Sequence, residues 1–147
     1  MSVDAAVPVD PEPGPLSGRF IGLVGVGGAL GSAARYGLAR WLPTTHGWPW
    51  PTLTANLIGT FVLGALLALL ADDAIERHAA RRVRLLVGTG FCGGLTTYST
   101  LVVEADLLVR GHRFGLAATY AVVSLVAGLV VAGLGIGAIT FVRRGTT

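Results

Sequence analysis

Lysine is absent from the 147 residues, and cysteine occurs once, at Cys92. A lone cysteine excludes a scaffold stapled by internal disulfides. Charge is scarce as well: Asp, Glu and Arg together make up 13% of the chain, against 52% hydrophobic residues and a mean hydropathy of +0.69. A soluble domain carries about a quarter charged residues, so a water-soluble globule of this size is excluded. The isoelectric point near 9.8 rests on a net charge of only +3, and the eleven arginines are scattered along the chain. They form no basic patch of the kind that binds nucleic acid. No Gly-Lys-Ser/Thr phosphate loop and no Cys/His metal cluster appears. What the chain does have is glycine, 22 residues against seven prolines, a composition that membrane helices tolerate better than soluble ones.

Residues 1–18 are acidic and proline-rich, with Pro8, Pro11, Pro13 and Pro15 and no apolar periodicity. They read as a disordered tail. The tail lacks the basic and apolar regions of a secretory signal, and no cleavage is expected. The remainder, residues 19–144, reads as one four-helix transmembrane domain. Its apolar blocks run over about 20–42, 51–71, 85–109 and 114–142, each long enough to cross a hydrocarbon core of about 30 Å at 1.5 Å per residue. Pro43 to Pro51, Asp72 to Arg84 and Arg110 to Arg113 connect them. Four crossings place both termini on one side. Seven arginines fall there (Arg19, Arg77, Arg81, Arg82, Arg84, Arg143, Arg144) and four on the other (Arg35, Arg40, Arg110, Arg113), a bias that favours cytoplasmic termini.

Polar groups in hydrocarbon are costly and are the first functional candidates. Thr52, Asn56 and Thr60 fall at i, i+4 and i+8 on one face of the second span. Asn56 offers two N–H donors and a carbonyl acceptor, suited either to an interhelical hydrogen bond or to a ligand path. In the third span Thr96, Thr97, Tyr98, Ser99 and Thr100 follow Gly88, Gly90, Gly93 and Gly94, and this run predicts a broken helix. Freed main-chain carbonyls at such a break are ready cation ligands. Tyr120 and Ser124 share a face of the fourth span with Gly128, a pattern that suits packing or a pore lining equally. Arg35 and Glu104 lie near span ends, where long charged side chains usually reach for the interface. An arginine held in a vestibule would instead concentrate anions.

Gly27/Gly31, Gly90/Gly94 and Gly133/Gly137 make three GxxxG pairs suited to close helix packing. Residues Gly88 to Gly93 match G-x-G-x-x-G by letter. A dinucleotide site would need a βαβ unit and an acidic residue about 20 positions on, and Arg113 stands there instead. His46, His78 and His112 all fall in connectors. Enzyme readings find no support.

Three segments, in order, carry a resemblance to the small bacterial fluoride channels (Fluc, also called CrcB). They are Gly27-Gly28-Ala29-Leu30-Gly31-Ser32-Ala33-Ala34-Arg35-Tyr36; Pro51-Thr52-Leu53-Thr54-Ala55-Asn56-Leu57-Ile58-Gly59-Thr60-Phe61 with Gly64; and Gly88-Thr89-Gly90-Phe91-Cys92-Gly93-Gly94-Leu95-Thr96-Thr97-Tyr98-Ser99-Thr100-Leu101 with Glu104. The resemblance implies an all-α, multi-pass protein of the bacterial inner (cell) membrane that passively exports fluoride and lowers its cytoplasmic toxicity. It implies two antiparallel subunits in a dual-topology dimer with two pores. It also implies a structural Na⁺ at the dimer centre, held by the carbonyls of Gly93 and Thr96. Asn56 matches the pore asparagine and Arg35 the arginine of the first motif. Ser99 and Thr100 match the polar pair between two pore phenylalanines, whose places Tyr98 and Leu101 take here. With Tyr120 and Ser124 these residues make the expected fluoride path. Membrane lipid and fluoride are the expected partners, with no nucleic acid.

The physics of the ion agrees with this reading. Fluoride is small and strongly hydrated, so a selective pore must replace its water with hydrogen-bond donors such as amide N–H, hydroxyls and aromatic edges. A site without a full buried positive charge can also release the ion. Two alternatives belong to other classes. One is an orientation-fixed or non-conducting partner subunit in a heterodimer, suggested by the seven-to-four arginine bias and by Tyr98 and Leu101. The other is a small multidrug-type exporter, which would need a carboxylate in the first span, where Arg35 stands and no Asp or Glu is found.

Overall fold

The computed structural model describes residues 18–71 and 77–145. The expected tail (1–18) falls outside these residues except for Gly18, which begins a helix, and residues 72–76 of the second connector are outside them too. Every long element is helical. α1 is Gly18–Trp41 and α2 is Trp50–Leu69. α3 (Arg77–Val83) runs into a π-helical stretch, Arg84–Cys92, and then α4 (Gly93–Leu95). After a two-residue interruption come α5 (Tyr98–Arg110) and α6 (Phe114–Arg144).

Three units are long and apolar enough to cross a membrane by length and composition: Trp50–Leu69, Arg77–Arg110 and Phe114–Arg144. α1 has 24 residues, about 36 Å at helical rise. Seven glycines, Arg19, Arg35 and Arg40 dilute its hydropathy. The third unit begins at Arg77, earlier than the expected 85, so that Arg77 to Arg84 belong to helix and not to a connector. One reason is visible at that end, where the Arg81 guanidinium lies over the Phe20 ring at 4.2 Å and fastens α3 to the start of α1.

Local chemistry sets the ends of the helices. α1 stops just before Pro43. α2 carries Pro51 in its first turn, where the missing N–H needs no partner. The α1–α2 connector makes a tight turn in which His46 (φ 55°) and Gly47 (φ 82°) are both left-handed, and Trp48 N–H donates to Thr45 O at 2.9 Å. Arg113, from the α5–α6 turn, donates to His46 O and fastens the two connectors together. At the opposite end Arg143 donates to Leu69 O at 2.8 Å and satisfies a terminal carbonyl of α2.

Packing follows the small residues. α1 lies against the π-helical stretch and α4, and α2 lies against α6. A Cβ on Gly90 would come 2.9 Å from Gly27 Cα, and one on Gly94 would meet the Gly28 main chain. Gly27, Gly31, Gly90 and Gly94 therefore form one backbone-to-backbone seam. The third GxxxG pair does something else: Gly133 and Gly137 face open space, and it is Gly135, between them, that abuts Phe61 and Ala65 of α2. The interior is small, a cluster of Leu53, Leu108, Ala117 and Tyr120 with Leu57, Leu101 and Trp48 around it. The outer side of α6 exposes Val122, Leu125, Val126, Leu129 and Val130, an apolar surface suited to hydrocarbon and unsuited to water.

Candidate functional site

The sequence run Thr96–Thr97 takes extended backbone, φ −79°/ψ 157° and φ −153°/ψ 124°, and interrupts the third span near its middle. The interruption is held by side chains. Asn56 of α2 faces Thr97 and makes two bonds with its backbone: Nδ2 donates to Thr97 O at 3.1 Å, and Thr97 N–H donates to Oδ1 at 2.8 Å. The Thr97 hydroxyl caps α5 by accepting the Thr100 N–H at 3.2 Å.

These bonds redirect two specific donors. In a continuous helix Thr97 N–H would bond Gly93 O, and Thr100 N–H would bond Thr96 O. Both N–H groups are given to side chains instead, which leaves the carbonyls of Gly93 and Thr96 without their i+4 partners. Thr96 Oγ1 turns back to Cys92 O at 2.8 Å and so satisfies its own hydroxyl locally. Among the described residues no three His, Cys, Asp or Glu side chains gather to hold a metal ion. The oxygens that the interruption leaves without their helical donors are the main-chain ones of Gly93 and Thr96, a ligand type that hard cations take.

Beside the interruption, on its α5 side, lies a cavity of about 520 Å³ lined by Ser32, Arg35, Tyr36, Thr52, Thr97, Thr100 and Glu104, among others. The donors in and next to this cavity can be worked out from the bonds, Thr100 from its wall and Asn56 and Ser99 from beside Thr97. One Asn56 N–H is spent on Thr97 O, so one remains. Thr97 Oγ1 donates to Thr100 Oγ1 at 3.0 Å, so the Thr100 proton stays free to donate. Ser99 Oγ lies 3.2 Å from Thr97 Oγ1. Arg35 adds a positive charge at the cavity wall.

Glu104 departs from the expectation that it reaches for the interface. Its carboxylate accepts from Thr52 Oγ1 and from Tyr120 OH, each at 2.7 Å, and so ties α5 to α2 and α6. Tyr120 is fully buried, with Trp48 edge-on at 5.7 Å. Its hydroxyl, like that of Thr52, is committed to Glu104. The sequence held a signal for this arrangement, since Thr100 and Glu104 fall at i and i+4 on α5 and a buried tyrosine hydroxyl needs a partner. The role of Trp48 had no such signal.

The other expected site residues are divided. Ser124 Oγ is buried without a hydrogen-bond partner among the described residues. Leu101 packs onto the Leu53–Tyr120 cluster, away from the cavity. Tyr98 is 80% exposed and points off the subunit. Gly93 faces open space. The structure thus brings Arg35, Asn56, Thr100 and Glu104 around the interruption, and it leaves Tyr98 outside.

Apolar helices of membrane-crossing length, interrupted at depth beside a polar cavity, define a multi-pass membrane protein built to pass or hold a small polar species. The comparisons give the family. The sequence model described as "CrcB-like protein, Camphor Resistance (CrcB)" matches residues 22–136, and the chain belongs to this family. It is 43% identical over 113 residues to "Fluoride-specific ion channel FluC 1" of Mycolicibacterium paratuberculosis, covering 76% of this chain and 83% of the relative. It is 43% identical over 115 residues to "Fluoride-specific ion channel FluC" of Thermus thermophilus (77% and 87%). With "Fluoride-specific ion channel FluC 2" of Leifsonia xyli it shares 42% identity over 134 residues (90% and 92%).

Proposed function

We propose that the chain is a subunit of a fluoride-selective channel that exports the ion passively across the bacterial cell membrane. α1 serves as a fourth crossing, and two subunits assemble in opposite orientations. The observation that carries the reading is the interruption at Thr96–Thr97, braced by Asn56, with unspent hydrogen-bond donors beside it. Family membership and the names of the relatives give the ion.

The donors define how a hydrated anion would pass. Arg35 raises the anion concentration at the cavity. The remaining Asn56 N–H and the Thr100 hydroxyl replace water molecules as fluoride leaves the cavity, and Ser99 joins them when its proton turns from Thr97 Oγ1 to the ion. Thr52 and Tyr120 are held by Glu104 and do not compete for the ion. The positive end of α5 faces the same place and adds to the attraction without a full charge that would trap fluoride. Ser124, buried and unpartnered among the described residues, has a hydroxyl to offer along the α6 side. Tyr98, pointing outward, would present its ring edge to the pore of an adjoining subunit.

The carbonyls of Gly93 and Thr96, freed from their helical donors, suit a structural Na⁺ shared between two subunits. Such an ion would offset the carbonyl dipoles where two interruptions meet.

One observation favours a second reading, in which this subunit works with a related partner of fixed opposite orientation. Leu101 has no ring and packs, partly buried, against the Leu53–Tyr120 cluster, so one of the two aromatic positions of the family pattern supplies no ring edge. The seven-to-four arginine bias also disfavours insertion both ways. The test is fluoride efflux from vesicles containing the purified chain alone. Rapid efflux with subunits in both orientations supports the homodimer. No efflux alone, restored by a co-expressed relative, supports the heterodimer. No efflux under either condition refutes the channel reading.

A further inference from the structure

The end of the molecule that carries the start of α1 has a groove that the pore reading does not use. Its volume is about 630 Å³. Arg19 and Arg82 line it nearer the helix starts than Leu23, Val26 and Leu86, its apolar floor. Arg19 and Leu23 are i and i+4 on α1, and Arg82 and Leu86 are i and i+4 across the start of the π-helical stretch. On each wall the charge therefore lies one turn out and the apolar residue one turn in. Arg81, stacked on Phe20 at 4.2 Å, fixes a third side. Neither Arg19 nor Arg82 meets a carboxylate among the described residues, where the ion pair found is Arg110–Asp106 at the opposite end. The floor is open, since Val26 is exposed and a Cβ on Gly22 would have nothing within 4 Å.

We propose that this groove binds an anionic glycerophospholipid, with its phosphate between the guanidinium groups of Arg19 and Arg82 and an acyl chain over Leu23, Val26 and Leu86. The occupant follows from the polarity of the groove. A cationic end and an apolar floor in line along the helix axes match a lipid that is anionic at one end and hydrocarbon at the other. A free inorganic anion would use the arginines and leave the floor bare. A zwitterionic lipid would bring a second cation to the cationic end.

The test is native mass spectrometry of the full chain released from micelles with phosphatidylglycerol or phosphatidylcholine. At about fivefold per arginine, phosphatidylglycerol should be retained roughly 25-fold over phosphatidylcholine. The Arg19→Gln/Arg82→Gln double variant should bring that ratio near unity, and the corresponding pair of lysine substitutions should keep most of it. Gly22→Leu, for which the groove has room, should fill the floor and lose the lipid with both arginines in place. Arg40→Gln/Arg110→Gln removes equal charge at the other end and should change nothing. Four results would overturn the proposal. One is no preference in the unaltered chain, as when Asp72, Asp73 and Glu76 of the neighbouring connector neutralise the arginines or a second copy covers the groove. The others are a preference that survives both groove variants, equal loss in the distal control, and displacement of the lipid by millimolar inorganic phosphate.

Discussion

Asn56 performs two tasks at once, and an Asn56→Asp substitution separates them. Its Oδ1 accepts Thr97 N–H at 2.8 Å and one Nδ2 proton goes to Thr97 O at 3.1 Å, while the second proton is the donor proposed for the ion path. Replacement by Leu removes both tasks, the two bonds to Thr97 and the unspent donor. It leaves a buried N–H and a buried carbonyl of Thr97 without partners, at about 1–3 kcal/mol each. That total is a large part of a stability of order 5–15 kcal/mol, so a silent Leu variant would be ambiguous between a lost donor and a lost fold. Asp is nearly isosteric and retains the acceptor for Thr97 N–H. It gives up the bond to Thr97 O, removes the free donor and places a negative charge where the anion should dehydrate. Two like charges about 4 Å apart at an effective dielectric constant near 20 repel by about 4 kcal/mol, which slows passage by roughly a thousandfold. The assay is fluoride efflux from vesicles, with dimer content checked by size-exclusion chromatography and crosslinking. A well-assembled Asn56→Asp channel whose efflux stays within about tenfold of the unaltered protein would refute the placement of Asn56 on the ion path.

Thr97→Ala removes the hydroxyl that accepts Thr100 N–H, and should lower stability by about 1 kcal/mol, read as an earlier unfolding midpoint in detergent; Thr97→Ser should restore it. Tyr120→Phe deletes one of the two hydrogen bonds to Glu104, a charge-assisted bond of about 1.5–3 kcal/mol. The loss should appear in thermal unfolding and be matched by Thr52→Val, with the double variant costing less than the sum. Gly94→Leu should abolish the monodisperse species, because its side chain would enter the Gly28 backbone, whereas Gly133→Ala, facing open space, should fold normally and gain up to about 1 kcal/mol. Thr96→Val deletes the hydroxyl and keeps the carbonyl, so it should keep the Na⁺ dependence of assembly, since the proposed ligand is main-chain; its loss would place the ion on the Thr96 side chain or nowhere.

Much of this protein was determined by the sequence alone, and for a definite reason. In a membrane the backbone must satisfy itself, so apolar blocks of about 20 residues have one structural solution. The helices, their order and the interruption near Thr96 were therefore legible from hydropathy and from glycine beside a hydroxyl run. Asn56 was legible too, because a mid-span amide has to be doing something. The sequence could not say what each polar group bonds. That Asn56 gives one proton to Thr97 and keeps the other depends on α2 lying against the interruption, a contact 41 residues apart in the chain. Glu104 has the sequence position of an interfacial charge, and only Thr52 and Tyr120 on either side of it hold it inside; that Leu101 packs against the Leu53–Tyr120 cluster is likewise shown by no window of sequence. Gly133 and Gly137 had the pattern of a packing seam, but the rotation of α6 about its own axis put Gly135 there instead. Helix formation is local and is written in a window of residues. Rotation and contact between helices are set by the fit of whole surfaces, and only the tertiary structure decides them.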